Sequence, residues 1–274
     1  MLSLSSMLED EQTIELLVTA KAYPTVSTKY TEAVCVAGIR LDTEEPEWVR
    51  LFPVLFRDLP RHQQFGKYQH IRLRAGRHGS DRRIETWRPN LETIELGRFV
   101  PAGGAWTARR KIVEAMLGPT MCELNHGRQQ GGPGPSLGIV QPEVIKSITV
   151  EPEDSWSESQ KAIQAQGNFF TEKPALVKPA QRYNYKYICK EPGCNGHEQK
   201  IVDWELGEAY RRWPHRDEAD LEEQISARWL DEMCAEDRET MFFVGDQHRW
   251  PGQFLVLGTF YPEYAQAAAQ ASLF

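Results

Sequence analysis

Ala33-Val34-Cys35-Val36-Ala37-Gly38-Ile39-Arg40-Leu41, an acidic turn, and then Glu47-Trp48-Val49-Arg50-Leu51-Phe52-Pro53 decide the fold. The first run has the apolar density of a buried strand, with Gly38 marking a bulge or a close backbone approach. In the second, Trp48 and Arg50 alternate with Val49 and Leu51, so the two runs form a hairpin. Extended segments flank it at intervals of about ten residues: Thr13–Ala20 before it, Lys67–Ala75 and Asp81–Pro89 after it. Short strands at that spacing indicate a small β-barrel or sandwich rather than a parallel sheet.

Beyond the barrel, helices are expected over Thr107–Leu117, with Thr107 as N-cap, and from Asp203 through Trp213. A longer one is expected over Asp217–Cys234, where Leu221, Ile225, Trp229 and Met233 recur at four-residue spacing. Leu137–Val140, Val144–Val150, Tyr183–Ile188, Met241–Val244 and Phe254–Tyr261 are strand-like. The fold class is therefore α+β: a small barrel of OB-like or PUA-like type over 12–152, then a second β-rich module with two or three helices over 153–274. Met1–Glu11 has the character of a frayed leader, and Ala265–Ala271 of a short tail.

At 274 residues and 41% hydrophobic, the chain is long enough to bury a sizeable core. Its five cysteines are an odd number set mostly in apolar patterns, and no stretch reaches a membrane span. A soluble protein of the reducing cytoplasm is expected. The net charge of -7 conceals an asymmetry. Arg40–Gln130 holds 16 Lys and Arg against 11 Asp and Glu, whereas Glu191–Gln247 holds 6 against 16. One surface is thus suited to an anion, and the acidic C-terminal module to a protein partner.

Two chemistries follow. Arg40, Arg50, Lys67, Arg72, Arg74, Arg82, Arg83 and Arg88, interleaved with Trp48, Tyr68 and Trp87, match the needs of a single-strand nucleic-acid groove: cations for phosphates, flat rings for bases. Cys189, Cys194 and His197 bracket a Pro-Gly turn at zinc-ligand spacing, with Cys234, Asp203 or His248 as the fourth ligand and Cys234 preferred. A plain β-turn and a reactive thiol are the alternatives there. His197, Asp203 and Glu205 compose a possible metal-dependent nuclease cluster, although a helix-capping Asp203 would diverge from Glu205. His126 is a candidate acid/base beside a Gly-rich loop. Nucleotide-binding glycine motifs, a nucleophile elbow and His-Glu-x-x-His are absent from the sequence. A third reading is an assembly adaptor without nucleic-acid contact.

The Ala33–Gly38 and Glu47–Pro53 pair, with Lys67–Leu73 and Arg82–Pro89 after it, resembles the opening of the prokaryotic dual OB-containing domain group. That resemblance implies a role near nucleic acid, as an accessory subunit in bacterial antiphage defence or DNA processing. Gly66–Ile71 is also similar to a segment of PUA/ASCH-like barrels, which receive modified or flipped bases. The C-terminal half departs from the dual-OB pattern. Its Cys189/Cys194/His197 knuckle and its Phe242–Gly245 and Gly258–Pro262 strands resemble a separate uncharacterised prokaryotic family.

Overall fold

A computed structural model describes residues 11–77, 79–168 and 174–264, so the expected leader, apart from Glu11, and the expected tail lie outside the described residues. Period-two patterning builds the first barrel. Strands β1 (Gln12–Lys21), β3 (Thr31–Arg40) and β4 (Glu47–Val54) turn Ile14, Leu16, Val18, Val34, Val36, Val49 and Leu51 into one core. Ile71 and Leu73 of β5 (Gln69–Arg77) and Trp87 of β6 (Thr86–Pro89) complete it. The short β2 (Thr25–Ser27) pairs with β3, and β7 (Glu95–Phe99) extends the sheet beyond β5.

The order β1-β3-β4-β6-β5 closes on itself because β1 also pairs with β5. Strand β1 gives Gln12–Leu17 to β5 and Leu16–Lys21 to β3, with a register shift between Val18 and Ala20 where it bends. Only β4 and β6 run parallel within this ring. Counting its five strands in chain order, the ring reads 1-2-3-5-4-1 with strands 3 and 5 parallel, which is OB topology and settles the choice against a PUA-like barrel. Gly38 is the expected close approach: a Cβ there would lie 2.3 Å from Leu16 Cδ1 and 2.9 Å from the Leu17 carbonyl oxygen.

Helices α1 (Gly103–Glu114) and α2 (Met121–Arg128) join the halves. The Thr107 hydroxyl donates to the Gly104 carbonyl rather than capping α1. Helix α2 is separate, and Thr120 and Glu123 form its capping box. Next come β8 (Leu137–Val140), β9 (Pro142–Pro152), α3 (Glu158–Asn168), β10 (Gln181–Cys189) and β11 (His197–Lys200). Helices α4 (Trp204–Arg212) and α5 (Glu218–Ser226) follow, capped by Asp203 and Asp217. A π-helical turn, Ala227–Glu232, precedes β12 (Met241–Asp246) and β13 (Phe254–Phe260).

These strands make two three-stranded sheets, β11-β10-β9 and β13-β12-β8, which meet at both sides. Gln141 alone separates β8 from β9. On the other side, a parallel bridge joins Ile201 to Val256, and Val202 N–H donates to the Val256 carbonyl at 2.9 Å. With β8 and β9 taken as one bent strand, the ring again reads 1-2-3-5-4-1. Its first strand again gives its beginning to strand 4 (β12) and its remainder to strand 2 (β10). The C-terminal half is therefore a second OB-like barrel, against the expected departure. Tyr183, Tyr185, Tyr187, Phe242 and Val256 fill it, and Leu206, Leu221, Ile225, Trp229 and Met233 of the helical segment close its end.

The expected boundary at 152/153 falls where β9 ends, yet β9 pairs with β10 along its length, so β8 and β9 belong with the second barrel. The barrels pack face to face. Leu17, Ala20 and Ala37 on the outside of the first meet Leu137, Phe243, Leu257 and Phe260 of the second in a third core.

Candidate metal centre and the ligand faces of the two barrels

Cys189 ends β10, Cys194 sits in the turn and His197 opens β11, so one hairpin brings three ligands together. The fourth is Cys122, on the first turn of α2. Cys234, the expected fourth ligand, is not in the cluster: the helical segment turns its thiol back to the Trp229 carbonyl, five residues earlier, at 3.3 Å. His197 Nε2 lies 3.4, 3.3 and 3.3 Å from the sulfurs of Cys122, Cys194 and Cys189, and the Cys122 and Cys189 sulfurs are 3.6 Å apart. A tetrahedron with metal–sulfur bonds of about 2.3 Å and a metal–nitrogen bond of about 2.0 Å has edges of roughly 3.5–3.8 Å. The four ligand atoms thus outline a closed tetrahedral site that can hold a metal ion. Burial and the neighbouring thiols push Cys122 up to about 12, so a dication would supply the charge that lets these thiols ionise together. Burial would also raise Cys194, but N–H groups around its sulfur, Gly196 N–H at 3.4 Å among them, hold it below the ordinary thiol value. Burial lowers His197, favouring the neutral ring that ligates.

The nuclease trio does not assemble. His197 faces the sulfurs, while Asp203 is buried and caps α4, accepting from Glu205 N–H at 3.0 Å. Burial raises the Asp203 carboxyl to about 7, with Lys67 opposing and Glu205 adding to the rise. Glu205 leans toward Lys67 at 3.8 Å. His126 is exposed on α2.

The expected single-strand platform on the first barrel is also dispersed. Trp87 points into the barrel core and Tyr68 lies in the inter-barrel core, each almost wholly buried, while Trp48 packs edge-on against Phe243 of the second barrel. Arg50, 1% exposed, donates to Ser136 Oγ at 2.7 Å and to the Ser136 carbonyl at 2.8 Å, and Glu85 grips the same serine. Asp246 of β12 sits among Arg50, Arg83 and Arg128, at 3.8, 3.6 and 2.9 Å. Asp81 holds Arg83 from the other side. Burial alone would raise Asp81, yet the hydrogen bonds and charge of Arg83 keep its carboxyl far below the ordinary range. These guanidinium groups join barrel to barrel instead of facing phosphate. Lys67 donates to the Thr259 carbonyl at 3.0 Å, and Arg40 is tied to Asp42 and Glu47. Arg72 and Arg74 stand exposed outside β5, beside Glu15, Glu95 and Glu11. Arg82 is exposed and Arg88 half-buried. The reason is parity: alternation puts Trp87 inside the first barrel and Trp48, Arg50, Arg72, Arg74 and Arg88 outside it, and the second barrel covers much of that outer face.

The equivalent face of the second barrel is open. Tyr183, Tyr185 and Tyr187 point inward, which turns Arg182 and Lys186 outward, and Lys200 joins them from β11. Their side chains keep 42%, 43% and 35% of their exposure beside Glu151, Glu198 and Glu153. A polar cavity of about 410 Å³ lies against this face, lined by Arg182, Asn184, Lys200 and the β12–β13 loop. Gln247, Gly252 and Gln253 are the loop residues in that lining; His248 and Arg249, between them, line the cavity between the barrels instead, and Trp250 is 49% exposed with the Arg249 guanidinium 5.2 Å from its ring centroid. Sequence reasoning passed over Trp250. Its signal was position: an aromatic residue in a polar Pro-Gly turn, outside any apolar period, has no core to enter.

Two family models match the chain, each a domain of unknown function: DUF8758 over residues 12–115 and DUF8757 over residues 117–274. The chain belongs to the DUF8757 family. The junction between DUF8758 and DUF8757 falls ahead of β8 and so divides one barrel from the other. No curated protein matches the sequence. Among solved structures, a murine DNA-binding protein bound with double-stranded DNA is similar at 9% identity and a TM-score of 0.32, over 92% of this chain and 94% of that one. A replication protein A heterotrimer bound to single-stranded DNA is similar at 9% identity and a TM-score of 0.37, over 98% of this chain. The match spans about half of that chain, 53%. Strand order, not these likenesses, assigns the fold of this DUF8757 protein. Among its described residues, no helix is long and apolar enough to cross a membrane.

Proposed function

We propose that the chain is a nucleic-acid-binding protein in which the second barrel grips a single strand and a structural zinc ion holds that barrel's β10–β11 hairpin in place. One observation carries the proposal: of the two OB faces, the second is left open, with cations on its strands and the exposed Trp250 on the loop whose ends line it. In OB-folds that face and its adjoining loops bind oligonucleotides. The nearby carboxylates are no obstacle, because exposed ion pairs are worth about 0–1 kcal/mol and yield to a phosphate. Trp250 offers a ring for base stacking, worth about 1–3 kcal/mol. A closed Cys₃His set with no open position suits zinc in a structural role.

Fluorescence anisotropy with a labelled single-stranded oligonucleotide at low salt tests this. Arg182→Glu with Lys200→Glu should weaken binding at least about tenfold and flatten the salt dependence, by about 0.7 in the log–log slope for each phosphate that is no longer neutralised. Arg72→Glu with Arg74→Glu should change little. Equal affinity in all three proteins, or no binding at low salt, would remove the proposal and favour an adaptor. The dual-OB resemblance supports an accessory role in bacterial antiphage defence or DNA processing, in the cytoplasm. There the exposed Glu218, Glu223, Asp231 and Glu236 of the helical segment would dock a basic protein partner.

A further inference from the structure

We propose that the pocket between the two barrels binds one nucleotide, as a flat heteroaromatic ring carrying a phosphate. The pocket measures about 460 Å³, within the range of small-ligand sites, which holds one such ring and its sugar but not a run of stacked bases. It is walled by the β1–β3 connection, the outer side of β3 and β4, and the β12–β13 segment of the second barrel, so it exists only because the barrels are docked.

Its parts have distinct chemistry. Tyr30 and Phe52 line one wall as an edge-to-face pair, 5.8 Å apart at 87°, and Leu255 and Leu257 line the opposite barrel, so a flat ring meets apolar surface on both sides. Arg50 belongs to the lining and its Nε is buried without a hydrogen-bond partner, so a small shift of this side chain would offer that N–H to a ring nitrogen or carbonyl. The lining carboxylates, Asp81 and Asp246, are already engaged by Arg83, Arg50 and Arg128. Lys29 and Arg249, both exposed, therefore leave the pocket with surplus positive charge that suits a phosphate. The ligand can be a free nucleotide or an unstacked nucleotide of a strand. Binding here does not require the second barrel's face to hold nucleic acid.

Cys35, half-buried in the pocket wall, is a built-in reporter. Its alkylation by iodoacetamide in the full chain, followed by peptide mass spectrometry, is measured with adenosine 5′-monophosphate, adenosine, inorganic phosphate or a short single-stranded oligonucleotide present. At about ten times its Kd, adenosine 5′-monophosphate should slow the reaction about tenfold, and adenosine should bind more weakly. Lys29→Glu should weaken the monophosphate about tenfold and leave adenosine unchanged. Protection by the oligonucleotide alone would assign the ring to a strand and still support the pocket. Unchanged alkylation with every probe would overturn it, as would monophosphate binding indifferent to Lys29→Glu. Should Cys35 resist alkylation outright, calorimetric titration of the monophosphate into wild type and Tyr30→Ala decides: heat in the first and not the second supports the pocket, and no heat in either refutes it. Loss of oligonucleotide binding in Arg182→Glu with Lys200→Glu, with Cys35 protection by the monophosphate kept, separates this site from the open face.

Discussion

Replacing Cys122 by serine should release the metal and loosen the second barrel, whereas replacing Cys234 should do neither. The size of the effect follows from what the centre ties together. Cys122 and Cys189 stand 67 residues apart in the chain, and a metal held by both would close that loop between α2 and the β10–β11 hairpin. Treating the tie as a cross-link, loop closure over that length contributes about 4 kcal/mol at 25 °C. For a chain of this size each kcal/mol moves Tm by about 2–4 °C, so Cys122→Ser should lower it by roughly 8–16 °C. Cys234→Ser exchanges a thiol for a hydroxyl that can make the same hydrogen bond to the Trp229 carbonyl and should cost about 1 kcal/mol or less. The assay pairs elemental analysis of zinc per chain with thermal melts before and after chelation. Chelated wild type should melt where Cys122→Ser does. If Cys122→Ser keeps its zinc and its Tm, or Cys234→Ser loses the metal, the assignment of the fourth ligand is refuted.

Gly38→Ala should destabilise the first barrel by about 1–3 kcal/mol in urea melts, since its Cβ would sit 2.3 Å from Leu16 Cδ1 with backbone behind it; an unchanged midpoint would contradict the close approach. Asp246→Ala should cost about 3–5 kcal/mol, because Arg50, Arg83 and Arg128 would be left buried with too little opposing charge, and a near-neutral result would show that the barrels do not depend on this network. Asp203 titrates near 7 in the folded protein against an ordinary value of 3.8, so the folded state holds the proton longer and wild-type stability should fall as pH rises through that window. Asp203→Asn keeps an N-cap and should flatten that slope in melts from pH 4 to 8; an identical slope would show that the carboxylate is accommodated at no cost.

Much of the fold was legible along the chain because it rests on local periodicity. Alternation marked most of the barrel strands, and the four-residue spacing of Leu221, Ile225, Trp229 and Met233 marked the face that now closes the second barrel. Asp203 announced its helix because capping is an interaction between near neighbours, and Asp217 caps the next helix in the same way without having been read as its cap. The hairpin ligands Cys189, Cys194 and His197 were visible for the same reason. Cys122 was not, since nothing local to α2 records where the β10–β11 hairpin will come to rest.

Sequence alone determined which side chains share a face, and tertiary structure decided which faces meet water. Period-two alternation puts Trp48 and Arg50 on one side of β4 whatever the surroundings. Only the docking of the second barrel turned that side into an interior, paired Arg50 with Asp246, and left Arg182, Lys186, Lys200 and Trp250 in the open. Burial depends on distant segments arriving together, and no local pattern carries that information.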